Sequence, residues 1–210
     1  DDEDKSENFD LSKTQEICNL VKSAKMIQCD EVQHWASESC QIISDYSENA
    51  RYKFGLSATP WRDMGDDILI DACFGKPIAD INASFLIKEG VLVKPSIYFV
   101  NIKSFAKGTY QAIYSEAIIN NQERNLIIAN VANQMVKNGR QVLILVKNIE
   151  HGNILEGMIS GSFFIHGSHS AKQRLDWLNK MRKRDASITI ATSIFDEGVD
   201  VKPLDGLILA

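Results

Sequence analysis

Proline is scarce in this chain, with 4 among 210 residues, and glycine reaches only 12. With a hydrophobic share of 44%, that scarcity excludes a disordered or collagen-like polymer. Long apolar runs are missing as well. The longest resemble Val142–Val146, far short of the ~18 residues a membrane-crossing helix needs, so the chain reads as soluble and without membrane contact. The 4 cysteines (Cys18, Cys29, Cys40, Cys73) include no Cys-x-x-Cys pair. A zinc site from Cys18, Cys29, His34 and Cys40 would match no compact ligand pattern. Free thiols suit a reducing compartment, the cytoplasm. Charge of one sign is also lacking once the first ten residues are set aside. Asp1, Asp2, Glu3, Asp4, Glu7 and Asp10 against Lys5 account for the whole formal charge of −5, which leaves residues 11–210 neutral. Global charge therefore carries no footprint of nucleic acid or membrane. Nor is the acidic opening a secretory signal or transit peptide.

What is present is an alternation. Strand candidates are Lys25–Cys29, Tyr52–Leu56, Pro95–Ile102, Gln141–Val146, Phe163–His166, Ser187–Ala191 and Leu207–Ala210. Helical patterns lie between them near 14–23, 35–47, 66–73, 82–89, 109–137, 150–159 and 170–184. Short hydrophobic strands separated by helices predict an α/β fold with parallel sheets covered on both faces. The pattern restarts between Lys88 and Gly108, which predicts two units, 1–92 and 93–210, both incomplete in outline. A basic run, Lys172, Arg174, Lys180, Arg182, Lys183 and Arg184, reads first as a solvated helix face.

Chemistry concentrates in two segments of the first unit. Met26-Ile27-Gln28-Cys29 leads into Asp30-Glu31-Val32-Gln33-His34. An apolar strand thus delivers adjacent carboxylates at its C-terminal end, where open α/β sheets bind ligands. One carboxylate can hold Mg²⁺ through water while its neighbour orients or deprotonates a nucleophilic water. Further on, Phe54-Gly55-Leu56-Ser57-Ala58-Thr59-Pro60 ends a second strand in two hydroxyl residues. Ser57 and Thr59 could bond to the carboxylate end if the strands are neighbours. Each segment alone also fits an ordinary strand-to-loop turn.

In combination the segments are specific. Asp-Glu-x-x-His and Ser-Ala-Thr-Pro at this separation resemble motifs II and III of superfamily-2 helicases of the DEAD/DEAH type. Gln141–Val146 followed by His151-Gly152 resembles motif IV, and Phe164-Ile165-His166-Gly167 with Arg174 the segment after it. Ile190-Ala191-Thr192-Ser193, continuing through Gly198-Val199-Asp200, resembles motif V. Thr14-Gln15 stands where the family has a Thr-Gln pair. The run from Tyr110 through Arg124-Asn125 looks most like phage helicases, a branch that also resembles excision-repair helicases and restriction translocases. The departure is Gln33, which stands where that branch usually has His.

The resemblance implies two RecA-like lobes, ATP and Mg²⁺ as cofactors, and ATP hydrolysis coupled to movement along nucleic acid, DNA in preference to RNA. Asp30 would hold Mg²⁺ through water and Glu31 would activate the attacking water. Gln33, His34, Ser57 and Thr59 would couple hydrolysis to movement. Gly198 and Asp200 would face nucleotide, and Lys147, Asn148, Thr192 and Ser193 would contact nucleic-acid phosphates. No Gly-x-x-x-x-Gly-Lys-Ser/Thr cradle and no Gln-x-x-Gly-Arg-x-x-Arg segment occurs among the 210 residues. Both are expected beyond the ends of a fragment, which would itself be inactive. A competing reading is a catalytically silent helicase-like piece that grips nucleic acid or a partner protein. If phage-encoded, the protein would work in the host cytoplasm.

Overall fold

Val142-Leu143-Ile144-Leu145 is apolar at every position, and such a strand is stable only when both of its faces are covered. The computed structural model places it as an inner strand of a parallel sheet. The structure describes residues 11–59, 67–103, 105–192 and 201–210. The chain divides into two compact units, Asp1–Ser96 and Ile97–Ala210.

The first unit runs α1 (Leu11–Ser23), β1 (Met26–Cys29), a 3-10 turn (Val32–Ala36), α2 (Glu38–Tyr46), β2 (Tyr52–Gly55), α3 (Asp67–Phe74) and α4 (Ala83–Lys88). β1 and β2 pair in parallel, from Met26 opposite Tyr52 to Cys29 opposite Gly55. Val32, Trp35 and Ile70 form its core, against which Ile27, Cys29, Cys40, Cys73 and Phe74 pack. The Trp35 and Phe74 rings meet edge to face at 5.0 Å, a favoured aromatic geometry. The single helix expected over 35–47 is divided: Ser37 takes extended backbone (φ −70°, ψ 150°) between the 3-10 turn and α2. Serine favours that flanking position over a helix interior. α3 stops before Gly75, where φ is +79°, close to the end of the helical pattern expected near 66–73.

The second unit runs α5 (Tyr110–Tyr114), a π-helical turn (Ser115–Ile119), α6 (Gln122–Lys137), β3 (Val142–Leu145), α7 (Ile149–Met158), β4 (Ser162–Ile165), α8 (Ala171–Arg182), β5 (Ile188–Ala191) and β6 (Gly206–Leu209). The strand order is β4-β5-β3-β6, and every pairing is parallel. The two-residue period sorts the core. Val142, Ile144, Phe164, Ile188 and Ile190 pack with Ile128 and Ala132 of α6 and Leu155 of α7. Leu143, Ile165 and Ala191 pack with Met181, and Trp177 of α8 lies against them. α8 opens with a complete capping box between Ser170 and Gln173.

Two expectations fail here. The helix expected over 109–137 breaks at Asn120-Asn121, because Asn121 turns its side chain to accept the Arg124 N–H (3.0 Å) and starts α6 anew. Residues 95–102 form no strand. Among the described residues no strand pairs with them, Tyr98 and Phe99 are 85% and 89% exposed, and the backbone groups are left to water. Among the described residues no helix is long and apolar enough to cross a membrane.

Candidate functional site

The ladder of the first unit explains why two carboxylates stand out at the end of β1. Leu56 N–H donates to the Cys29 carbonyl (2.8 Å), and the Leu56 carbonyl accepts from Val32 N–H (2.9 Å). Leu56 therefore pairs with residues on both sides of Asp30-Glu31, and these two are left outside the ladder. Glu31 takes left-handed backbone, φ 51° and ψ 52°, which costs a non-glycine residue roughly 1–2 kcal/mol. The Asp30 carboxylate supports it by accepting the Glu31 N–H at 3.0 Å. Gly55 makes room for the turn: a Cβ there would stand 2.7 Å from Val32 Cγ2.

The expected neighbour relation between the segments is observed. Gln33 Nε2 donates to Glu31 Oε2 (2.7 Å), and Ser57 Oγ donates to Gln33 Oε1 (2.5 Å). Ser57 Oγ in turn accepts the Thr59 N–H at 3.0 Å. Gln33 and Ser57 are half-buried, whereas Asp30, Glu31, His34 and Thr59 are exposed. His34 holds the 3-10 turn through its backbone, bonding to the Glu31 carbonyl and to Ser37 N–H. Cys29 sits directly below. Burial, then the nearby Cys40 and Asp30, push its thiol above the usual range, so it stays a neutral packing group.

The donor set at this turn suits a magnesium ion carried in with phosphates. Asp30 is exposed and spends one carboxylate oxygen on the Glu31 N–H. Among the described residues no group of three or more His, Cys, Asp and Glu could hold a metal. Magnesium is commonly bound by one or two carboxylates, with water and phosphate oxygens completing the shell.

In the second unit the register sets Leu145 beside Ala191 and Leu209, and Ile165 beside Ala191. Lys147 and Thr192 accordingly leave the sheet along the same carboxyl edge. Lys147 is exposed, whereas Thr192 is 9% exposed. The Thr192 N–H donates to the Ile165 carbonyl at 3.3 Å. Asn148 serves its own helix, accepting the Glu150 N–H (2.7 Å) as the cap of α7. Ser193, Gly198 and Asp200 lie outside the described residues. The basic run is partly structural: Arg184 pairs with Asp205 at 3.1 Å, and Lys180 lies 4.9 Å from the Trp177 ring centre.

One polar unit joins two residues that the sequence sets 26 positions apart. His151 is fully buried, with Nε2 2.9 Å from Asn125 Oδ1, and Asn125 Nδ2 donates to the Ile119 carbonyl (2.8 Å). That second bond turns the amide oxygen toward the ring, so Nε2 carries the proton. Burial, then the nearby Arg124 charge, lower the His151 pKa to about 4. A His at the start of a helix gives no sign of this burial; in the structure the adjacent Gly152 lies against the Phe164 ring.

Residues 118–210 match the family model described as helicase conserved C-terminal domain. The protein named "Probable helicase D10" from Escherichia phage T5 is 28% identical over 199 residues, covering 91% of this chain and 43% of its own length. The chain spans less than half the length of the curated relatives it matches. Among solved structures, Mycobacterium smegmatis helicase Lhr bound to ssDNA and AMP-PNP aligns over 91% of this chain and 25% of its own, at 14% identity and a TM-score of 0.53. S. cerevisiae Dbp5 bound to RNA and ADP BeF3 aligns over 91% and 47%, at 11% identity and the same TM-score of 0.53. At such identities the likeness is one of fold, and it bears out RecA-like α/β units with parallel sheets.

Proposed function

We propose that this chain belongs with the superfamily-2 helicases, since residues 118–210 match the helicase conserved C-terminal domain, and that the full-length protein is an ATP-driven helicase or translocase. The observation that carries the reading is the turn after β1, where Asp30 and Glu31 are held outside the ladder and tied through Gln33 to Ser57. Asp30 would hold Mg²⁺ through water. When bound, the ion with ATP supplies charge neutralisation for phosphoryl transfer, a reaction that rests on positioning and electrostatics. Glu31 would orient the attacking water and accept its proton; Gln33, Ser57 and Thr59 would report its state to the loop after β2. Gly198 and Asp200 would face the nucleotide.

Nucleic acid would be held by the Thr192 hydroxyl, Ser193 and the Lys147 ammonium. Contacts of this kind go to the sugar-phosphate backbone and position a strand without reading its sequence, so they serve DNA and RNA alike. Asn148 caps α7 through its Oδ1, and its amide Nδ2 would donate to the same phosphates. No phosphate-cradling Gly-Lys-Ser/Thr motif occurs among these 210 residues, so turnover is assigned to the full-length protein.

The test is phosphate release by the full-length protein with ATP, Mg²⁺ and a mixed-sequence single-stranded DNA. Glu31→Gln should lower kcat by roughly 100-fold or more while nucleotide binding persists. Undiminished turnover in that variant would remove Glu31 as the base.

A further inference from the structure

We infer that the second unit holds a nucleobase site of its own, a cavity at the start of α6 and along α7 whose amides match a base carrying an amino group beside a ring nitrogen, as adenine and cytosine do. The cavity measures about 390 Å³ and is lined by Asn120, Gln122, Asn125, Leu126, Ile154 and Met158. That lies at the lower end of the roughly 300–1,000 Å³ of small-molecule sites, which suits a single base rather than a larger cofactor. The site is independent of the turn after β1 and of the hydrolysis proposed there.

The break between the π-helical turn and α6 gathers three carboxamides here, and each has hydrogen-bonding capacity to spare. Asn121 spends its own amide on the cap, while Asn120 and Gln122 on either side of it line the cavity. Asn120 Nδ2 donates to Ser115 Oγ at 3.1 Å, which leaves Asn120 Oδ1 to accept. The Gln122 amide makes no hydrogen bond among the described residues, so both of its ends are open. Asn125 is the deep member, 2% exposed. Its Oδ1 faces His151 Nε2 (2.9 Å), and its Nδ2 donates to the Ile119 carbonyl (2.8 Å). An amide nitrogen has two protons, and among the described residues nothing takes the second. A buried donor left unpaired is unfavourable, and an acceptor on a ligand relieves it.

The rest of the lining selects the class of ligand. Leu126 and Met158 are exposed apolar side chains, and with Ile154 they offer an apolar surface to the face of a flat ring. A thioether also packs favourably against an aromatic ring. No charged residue lines the cavity, so a phosphate or carboxylate would find no partner, and an aliphatic ligand would leave the amides unpaired. A carboxamide pairs with an amino group beside a ring nitrogen, its oxygen accepting from the amino group and its nitrogen donating to the ring. Gln122 can make that pair, and the spare Asn125 N–H suits a further ring acceptor. Gln122 can also turn over to suit the opposite edge. Asn120 cannot, because its nitrogen is held by Ser115. A carbonyl in place of the amino group would therefore set two acceptors against each other at Asn120.

The test is calorimetric titration of the full-length protein with adenosine, cytidine, inosine and uridine, in Mg²⁺ and a saturating non-hydrolysable ATP analogue that fills the hydrolytic site. Adenosine and cytidine should each bind at one site, about tenfold or more tighter than inosine and uridine. Gln122→Ala should weaken adenosine by about tenfold or more. Asn120→Ala should bring adenosine and inosine within about twofold of each other, since the discriminating acceptor is gone. Met158→Trp, which fills the cavity, should remove binding of all four. Asn120, Gln122 and Met158 are exposed, so these variants keep the fold, and their thermal midpoints check it. Competition by ten-nucleotide oligomers separates the sources of the base. Displacement of adenosine by oligo(dA) and not by oligo(dT) identifies a base of a nucleic-acid strand, and displacement by neither identifies a free nucleoside or nucleotide. Absence of adenosine binding, inosine bound as tightly as adenosine, or binding unchanged in Met158→Trp overturns the site. If the protein binds no ATP analogue, the hydrolysis reading fails, and the same titration without the analogue still decides the base site.

Discussion

His151 shows how much one residue's surroundings decide. Its ring is fully buried and bonded to Asn125, with a pKa lowered to about 4 by burial and by Arg124. The ordinary value near 6.5 applies when the chain is unfolded, so between those values the unfolded state binds the extra proton. Stability is therefore complete above pH about 6.5 and falls as the pH drops toward about 4, by up to roughly 3 kcal/mol from this group. Urea unfolding of the 210-residue chain, followed by fluorescence of Trp177 with Trp35 and Trp61 replaced by Phe, measures this. His151→Gln keeps an N–H for Asn125 and cannot titrate. It should flatten the dependence between pH 6.5 and 4, and an unchanged slope would assign the loss to other groups.

At the scale of elements, α7 and β4 are joined by a missing side chain. A Cβ on Gly152 would fall within the Phe164 ring, and Phe164 is 3% exposed in the core beneath α7. Glycine inside a helix ordinarily costs about 1 kcal/mol relative to alanine, so Gly152→Ala in an open helix would stabilise. Here the sign reverses: overpacking of this kind destabilises by about 1–3 kcal/mol. Thermal unfolding of Gly152→Ala should show a lower midpoint, and pairing it with Phe164→Leu should recover part of the loss. A raised midpoint in the single variant would contradict the packing. The same element explains the Oδ1 of Asn148, which accepts the Glu150 N–H and starts α7.

At the scale of the whole molecule, the chain forms two compact units that meet in sequence at Ser96 and Ile97. Among the described residues, those from 93 to 107 carry no helix or strand, and Lys103 and Lys107 are exposed. Trypsin at low ratio should cut first after Lys94, Lys103 or Lys107, and mass spectrometry of the earliest fragments reads the sites. First cuts inside α6 or β3 would mean that the second unit is the weaker structure.

The strand and helix alternation was legible in the residues, because an apolar four-residue run such as Val142–Leu145 is satisfied as a buried parallel strand. Asp30, Glu31, Ser57 and Thr59 were legible for a related reason: polar groups placed directly after apolar strands must emerge at the sheet's carboxyl edge. Residues 95–102 misled, since β-forming side chains make a strand only where a neighbour offers its backbone. The helix from 109 to 137 misled because Asn120-Asn121 supplies its own cap. Local composition thus indicated most of the strands and where chemistry could surface. Only tertiary contact decided that the Gln33 amide bonds to Glu31 and Ser57 at once, and that His151 lies buried and neutral. Those outcomes depend on hydrogen-bond partners 24 and 26 positions away in the chain, and a partner's distance and direction exist only once the sheet has brought the strands together.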